Sequence, residues 1–247
     1  MSSTDHLILN GHQTSNVRVL IIPGLHGSGP THWQSWLETQ YSDPVRVNQL
    51  DWSTPDLDKW SDAIVHTIRK FSADTTWIAV AHSFGCLALA NLMQREGLQK
   101  PFIGRSVVSQ IASALLVAPA DPKKFNVEPQ VGRQALGIPS TLIASETDPW
   151  MSLEQARHWS QQWESQFVNL GNAGHINVDS GHGPWPMVRV KVDQLIRQQQ
   201  FKSRWGISQA WPLDTSFSTA DRSPLPHTYF TPKGTHHGQS ASGGYRP

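Results

Sequence analysis

Trp77-Ile78-Ala79-Val80-Ala81-His82-Ser83-Phe84-Gly85-Cys86-Leu87-Ala88-Leu89 joins a short apolar run to a serine set among small residues, then continues into a helical pattern. The run reads as a buried strand and the remainder as a helix, with Ser83 on the turn between them. A serine hydroxyl is a weak nucleophile at neutral pH. Projected from a tight strand-to-helix turn toward a base and toward backbone donors, it can become a strong one. Ala81 and Gly85 flank it at two residues' distance and let strand and helix cross closely. The usual form of this elbow has glycine at the first of these places, so Ala81 is a mild departure. Ser beside Gly is common in loops, and the helix that follows is what gives the motif weight.

Working outward from the elbow, apolar runs alternate with segments of helical period. Strands are expected at Val17–Ile22, at Val45–Leu50, where residues alternate, at Ala114–Ala118, at Ser140–Ala144 and at Gln166–Leu170. Trp33, Trp36 and Leu37 have helical spacing. Leu57, Trp60, Ile64, Ile68 and Phe71 fall on one face of a helix, and further helices are expected near 84–97, 102–112, 152–164 and 186–199. Strands alternating with helices imply βαβ units. The expectation is therefore an α/β protein, with a mostly parallel sheet of about six strands covered by helices on both faces.

At 247 residues the chain is long enough for one sizeable core. Lys plus Arg number 20 against 19 Asp plus Glu, a balance that gives no field for nucleic acid or an anionic membrane. Charged residues make up only 16% while there are 11 tryptophans, so large aromatic area is available for core and pocket. Cys86 is the single cysteine, which leaves no intrachain disulfide. The polar segment 1–16 lacks the apolar stretch of a secretory leader, and no run reaches the roughly 18 residues of a membrane span, so a cytoplasmic location is expected. A single α/β domain is expected over 17–200. From 201 onward Ser, Thr, Pro, Gly and His take over, which reads as a disordered tail.

In parallel sheets of this kind, function gathers at the carboxyl ends of the strands. Pro23-Gly24-Leu25-His26-Gly27 follows the first strand, Ser83 the elbow strand, and Asp121 and Asp148 the next two, each before a proline. The last strand is followed by Gly174-His175. Serine, acid and histidine thus stand in the chain order of α/β-hydrolases. Both Asp148 and Asp121 meet the positional requirement for the acid. His175 is favoured over His182 as the base by the glycine before it and by its place directly after a strand. Backbone N–H groups of Phe84 and Leu25 are the expected oxyanion donors. His26, Trp150 and Trp185 are candidates for lining the substrate pocket. The histidines lack ligand spacing for a metal, and no nucleotide-binding glycine pattern is present, so neither metal nor cofactor is expected.

Pro23-Gly24-Leu25-His26-Gly27-Ser28, His82-Ser83-Phe84-Gly85, Ser145-Glu146-Thr147-Asp148-Pro149-Trp150, and Gly174-His175 leading into Ile176-Asn177-Val178-Asp179-Ser180-Gly181-His182-Gly183-Pro184-Trp185-Pro186, together resemble one known group. It is the YdeN and retinoblastoma-binding serine hydrolase family of small α/β-hydrolases, in its bacterial branch. The resemblance spans about residues 17–198. It implies an α/β-hydrolase fold and a Ser83–His175–Asp148 arrangement through the family's D-P-W motif, but no defined substrate. Binding to retinoblastoma protein is not expected, because the L-x-C-x-E motif is missing around Cys86. Only about twenty residues separate the strands near 118 and 140, too few for a cap domain, so an open, shallow site that takes a small-molecule acyl substrate is expected. The expected activity is carboxylesterase-like cleavage of esters, thioesters or amides. Acyl transfer by the same residues, or a binding module with little turnover, are the alternatives.

Overall fold

The computed structural model describes residues 16–98 and 106–205. Its centre is a six-stranded sheet of β1 (Val17–Ile22), β2 (Val45–Arg46), β3 (Thr76–His82), β4 (Ile111–Val117), β5 (Ser140–Ala144) and β6 (Gln166–Asn169). The spatial order is β2-β1-β3-β4-β5-β6, and every neighbouring pair is parallel. Helices α1 (Trp33–Glu38), α2 (Leu57–Ile68), α3 (Phe84–Leu98), α4 (Leu153–Gln162) and α5 (Pro186–Trp205) connect and cover it.

The two-residue period of the strands sorts their side chains into two cores. Leu20, Ile22, Ala79, Ala81, Leu116 and Leu142 point to the face shared with Leu57, Trp60 and Ile64 of α2, Leu87 of α3 and Trp159 of α4. Val19, Ile21, Ile78, Val80, Leu115 and Ile143 point to the opposite face, where Trp33 and Leu37 of α1 and Val188 and Val192 of α5 close over them. Burial on both faces is why these strands read as continuous apolar runs.

The boundaries depart furthest from the sequence expectations in three places, while β4 begins three residues earlier than expected and β3 and β6 differ by a single residue at their ends. The strand expected over Val45–Leu50 pairs only at Val45 and Arg46, because it is the sheet edge and the chain turns away after Val47 to put the Trp52 carbonyl on the His26 N–H. Leu50 is fully exposed as a result. Of the helix expected near 102–112, the part from 106 onward is a 3-10 turn at Val107–Gln110 that leads directly into β4 at Ile111. Helix α5 continues to Trp205, five residues into the stretch expected to be tail. The rest of that stretch lies outside the described residues, as does nearly all of segment 1–16. Between β4 and β5 the chain makes only two 3-10 turns, Pro122–Phe125 and Glu128–Gln130, and inserts no cap.

From β1 the chain winds to one side, to β2, and from β3 to the other, so the winding reverses between β1 and β3. The carboxyl ends at such a reversal open a crevice, the usual place for a ligand in open parallel sheets.

Candidate active site

Ser83 stands at that crevice, on the turn from β3 to α3. Its φ is +53°, a left-handed value that costs a non-glycine residue energy and that the packing around it must hold. The Ser83 N–H donates to Val117 O at 3.1 Å. Two glycines make room for the turn. A Cβ on Gly85 would lie 2.4 Å from Pro23 O and 2.6 Å from Ile22 O, and one on Gly24 would lie 2.7 Å from Ser83 Cβ. The end of β1 thus touches the elbow with no space for a methyl group at either position.

The loop after β5 carries Asp148 and the loop after β6 carries His175. His175 Nε2 lies 2.9 Å from Ser83 Oγ, and Nδ1 lies 2.9 Å from both carboxylate oxygens of Asp148. The Trp150 N–H donates to Asp148 Oδ1 at 2.8 Å and fixes the carboxylate. The two side chains are 9% and 3% exposed. A hydroxyl, an imidazole and a carboxylate in this order can activate the hydroxyl while keeping the imidazole in one tautomer. Asp121 is engaged elsewhere, since its carboxylate accepts the Lys123 N–H and the Gln155 amide at 3.0 and 2.9 Å. His182 packs edge-on against Trp185 with Nδ1 3.2 Å from Ser180 O, and it is His175 that meets Ser83 Oγ. The cap of α4 is Ser152, paired with Gln155, which leaves Asp148 free of helix capping.

The loop after β1 is braced by Arg46, whose guanidinium donates to Glu38 and to Ser28 O. Within it, the His26 N–H donates to Trp52 O at 2.8 Å and the Gly27 N–H to Gly24 O at 3.0 Å. Among the described residues, the N–H groups of Leu25 and Phe84 make no such bond. Phe84 is the first residue of α3, so the positive end of that helix faces the same space. The His26 side chain is exposed. The three pocket candidates therefore separate. Trp150 is 43% exposed, stacked on Phe125, with its ring centroid 6.1 Å from that of His175. Trp185 is buried against Trp33 in the core under α5 and is a packing residue.

Sequence reasoning missed the residues that hold the two loops together. Ser145 Oγ donates to Gly171 O and accepts the Ala173 N–H, both at 3.0 Å. Thr147 Oγ1 donates to Asn172 Oδ1 at 2.8 Å and accepts the Gly174 N–H at 3.0 Å. The two hydroxyls that precede Asp148 thus tie its loop to the segment leading into His175. The only signal for them was the Ser-x-Thr-Asp string after a strand. Among the described residues, no group of three or more His, Cys, Asp or Glu side chains could hold a metal ion, and no helix is long and apolar enough to cross a membrane. Cys86 is buried, and its thiol is pushed up by that burial, so it is inert packing.

His32 is buried at the start of α1, where its Nδ1 accepts the Gln34 N–H at 3.1 Å. Burial, then the Arg46 charge, lowers its pKa from 6.5 to about 4. Because the folded value lies below the unfolded one, the stabilisation is complete above pH 6.5 and is lost as pH falls toward 4. That loss is about 3 kcal/mol. His32→Asn keeps a good cap without the proton site. Urea unfolding at pH 7 and pH 4.5 should show a smaller loss for the variant than for the wild type. An equal loss would remove His32 from the account.

A six-stranded parallel sheet with a serine elbow at its switch point, and acid and histidine beyond the ends of β5 and β6, defines an α/β-hydrolase. The family model described as serine hydrolase matches residues 19–194. The chain belongs to that family and, within it, to the YdeN-like small α/β-hydrolases. The crystal structure of a YdeN-like protein from Pectobacterium atrosepticum SCRI1043 is 33% identical, covers 74% of this chain and 92% of its own, and superposes with a TM-score of 0.66. The YdeN protein of Bacillus subtilis (strain 168), named as a hydrolase, is 26% identical over 187 residues, 69% of this chain and 92% of that one. A solved structure of the B. subtilis ydeN product, aligned at 20% identity over 73% of this chain and 98% of its own, agrees in fold with a TM-score of 0.57. The protein is a hydrolase.

Proposed function

We propose that the protein cleaves small or exposed acyl esters, thioesters or amides, with Ser83 as nucleophile, His175 as base and Asp148 as the acid that orients it. The observation that carries this reading is the unbroken 2.9 Å line from Asp148 through His175 to Ser83 Oγ. Ser83 Oγ attacks the carbonyl carbon while its proton passes to His175 Nε2, and Asp148 stabilises the imidazolium. The Leu25 and Phe84 N–H groups hold the oxyanion, a role supported by their lack of backbone partners. Collapse expels the leaving group, which takes the proton from His175. Water, deprotonated by His175, then attacks the acyl-enzyme and restores Ser83.

The uncapped connection between β4 and β5 supports an open acyl site, bordered by Trp150 and Phe125. The test is initial rates on p-nitrophenyl acetate, butyrate and palmitate, with a thioester and an anilide alongside. Turnover of the acetate and butyrate should exceed that of the palmitate. Preference for palmitate with activation at an oil–water interface would contradict the open site, and no turnover of any acyl compound would contradict the reading itself.

A further inference from the structure

We propose that His82 is a positioning residue for this reaction, whose buried Nε2–H fixes the main chain of His175 and so keeps the imidazole in line with Ser83. The proposal rests on the reading of His175 as the base. His82 is the last residue of β3 and the covalent neighbour of Ser83. It occupies a strand position where an apolar side chain would serve packing, yet it is a histidine 5% exposed. Its ring lies 5.0 Å from those of both His32 and His175, and edge-on to Trp33 at 5.8 Å. Its Nε2 lies 3.0 Å from His175 O.

A carbonyl oxygen can only accept, so Nε2 carries the proton and His82 is the donor. Burial, with the neighbouring His175 and His32 rings, holds its pKa well below the ordinary histidine value, consistent with a neutral ring in that one tautomer. The bond matters because the neighbouring Ala173, Gly174 and Ile176 N–H groups bond to Ser145, Thr147 and Ala173 O, whereas the carbonyl of His175 itself is held by His82. Gly174 and Ile176 on either side have φ of +55° and +48°, so the chain here follows neither strand nor helix. Two of its carbonyls are held by rings: His175 O by His82, and Ile176 O by the Trp33 Nε1–H at 2.8 Å. Since His82 precedes Ser83 directly, one strand end sets the place of the nucleophile and of the base that must meet it. A shift of about 1 Å between such groups costs up to about a hundredfold in rate.

The first reading is on the wild-type protein. Long-range 1H–15N spectra at neutral pH should show His82 protonated at Nε2, and protonation at Nδ1 alone would overturn the proposal. The second compares His82→Gln, which keeps an N–H in reach of the carbonyl, with His82→Met, which fills the space without a donor. The readouts are kcat and KM on p-nitrophenyl acetate and the rate of fluorophosphonate labelling. For H82M the expected result is a fall of about tenfold or more in kcat and labelling rate with KM nearly unchanged. H82Q is expected to stay within about threefold of wild type. Equal rates in H82M and wild type, or equal losses in folded H82Q and H82M, would overturn it. If H82M fails to fold, the wild-type tautomer and the H82Q rates decide. Failure of the wild type itself to label would instead remove the catalytic reading on which the proposal stands.

Discussion

Asp148→Asn is expected to lower kcat/KM on p-nitrophenyl acetate by about 10,000-fold while leaving the fold intact. The Trp150 N–H already demands an acceptor at the Oδ1 position, so the amide nitrogen of the variant must take the other. It then faces His175 Nδ1, which becomes an acceptor, and the ring proton moves to Nε2. A protonated Nε2 cannot take the proton from Ser83. Asp121→Asn is the matched control, because Asp121 serves Lys123 and Gln155 and does not touch His175. It should lose less than about tenfold in activity. Steady-state rates of the two variants side by side decide the matter, and the reverse order would mean that the acid has been misassigned.

Gly85→Ala is expected to cost about 3 kcal/mol or more, a fall of about 6–12 °C in Tm for a domain of this size, together with most of the activity. The added methyl would sit 2.4 and 2.6 Å from the carbonyl oxygens of Pro23 and Ile22. These are backbone atoms that cannot rotate away. Ile22 is paired with Ala81 of β3, so β1 cannot retreat without disrupting the ladder that positions Ser83. Gly29→Ala, where nothing lies within 4 Å of the new methyl, should melt close to the wild type. Thermal unfolding of both variants checks this, and a Gly85→Ala protein as stable as wild type would show that the elbow is looser than described.

The parts of this fold that were legible in the sequence are those whose residues meet their own constraints locally. β5 is legible to the residue, Ser140–Ala144, because its buried Leu142-Ile143-Ala144 follows two β-compatible hydroxyl residues and the strand is bounded by Pro139 and by a polar turn. Ser83 was legible for a similar reason, as strand, turn and helix are contiguous around it. β2 was overread because alternation of side chains does not reveal that an edge strand will leave its partner after two residues. The helical reading near 102–112 meets, from 106 onward, a 3-10 turn only four residues long. Asp121 and Asp148 each follow a strand and precede a proline, and it is the resemblance to the D-P-W motif that points to Asp148. Side-chain geometry distinguishes them, one capping a 3-10 turn and the other facing His175. Ser145 and Thr147 were invisible as bracing residues, because their partners at 171–174 come within reach only when β5 and β6 pair. Trp185, equally open to core or pocket by sequence, went to the core because Trp33 offers it an aromatic edge under α5.

The most direct test of the central claim, that Ser83 is an activated nucleophile, is the intact mass of the protein after treatment with a fluorophosphonate, followed by peptide mapping. The account predicts rapid addition of one phosphonyl group per chain, located on Ser83 and absent from Ser83→Ala. A folded wild-type protein that remains unmodified, or that carries the adduct on another residue, would contradict it.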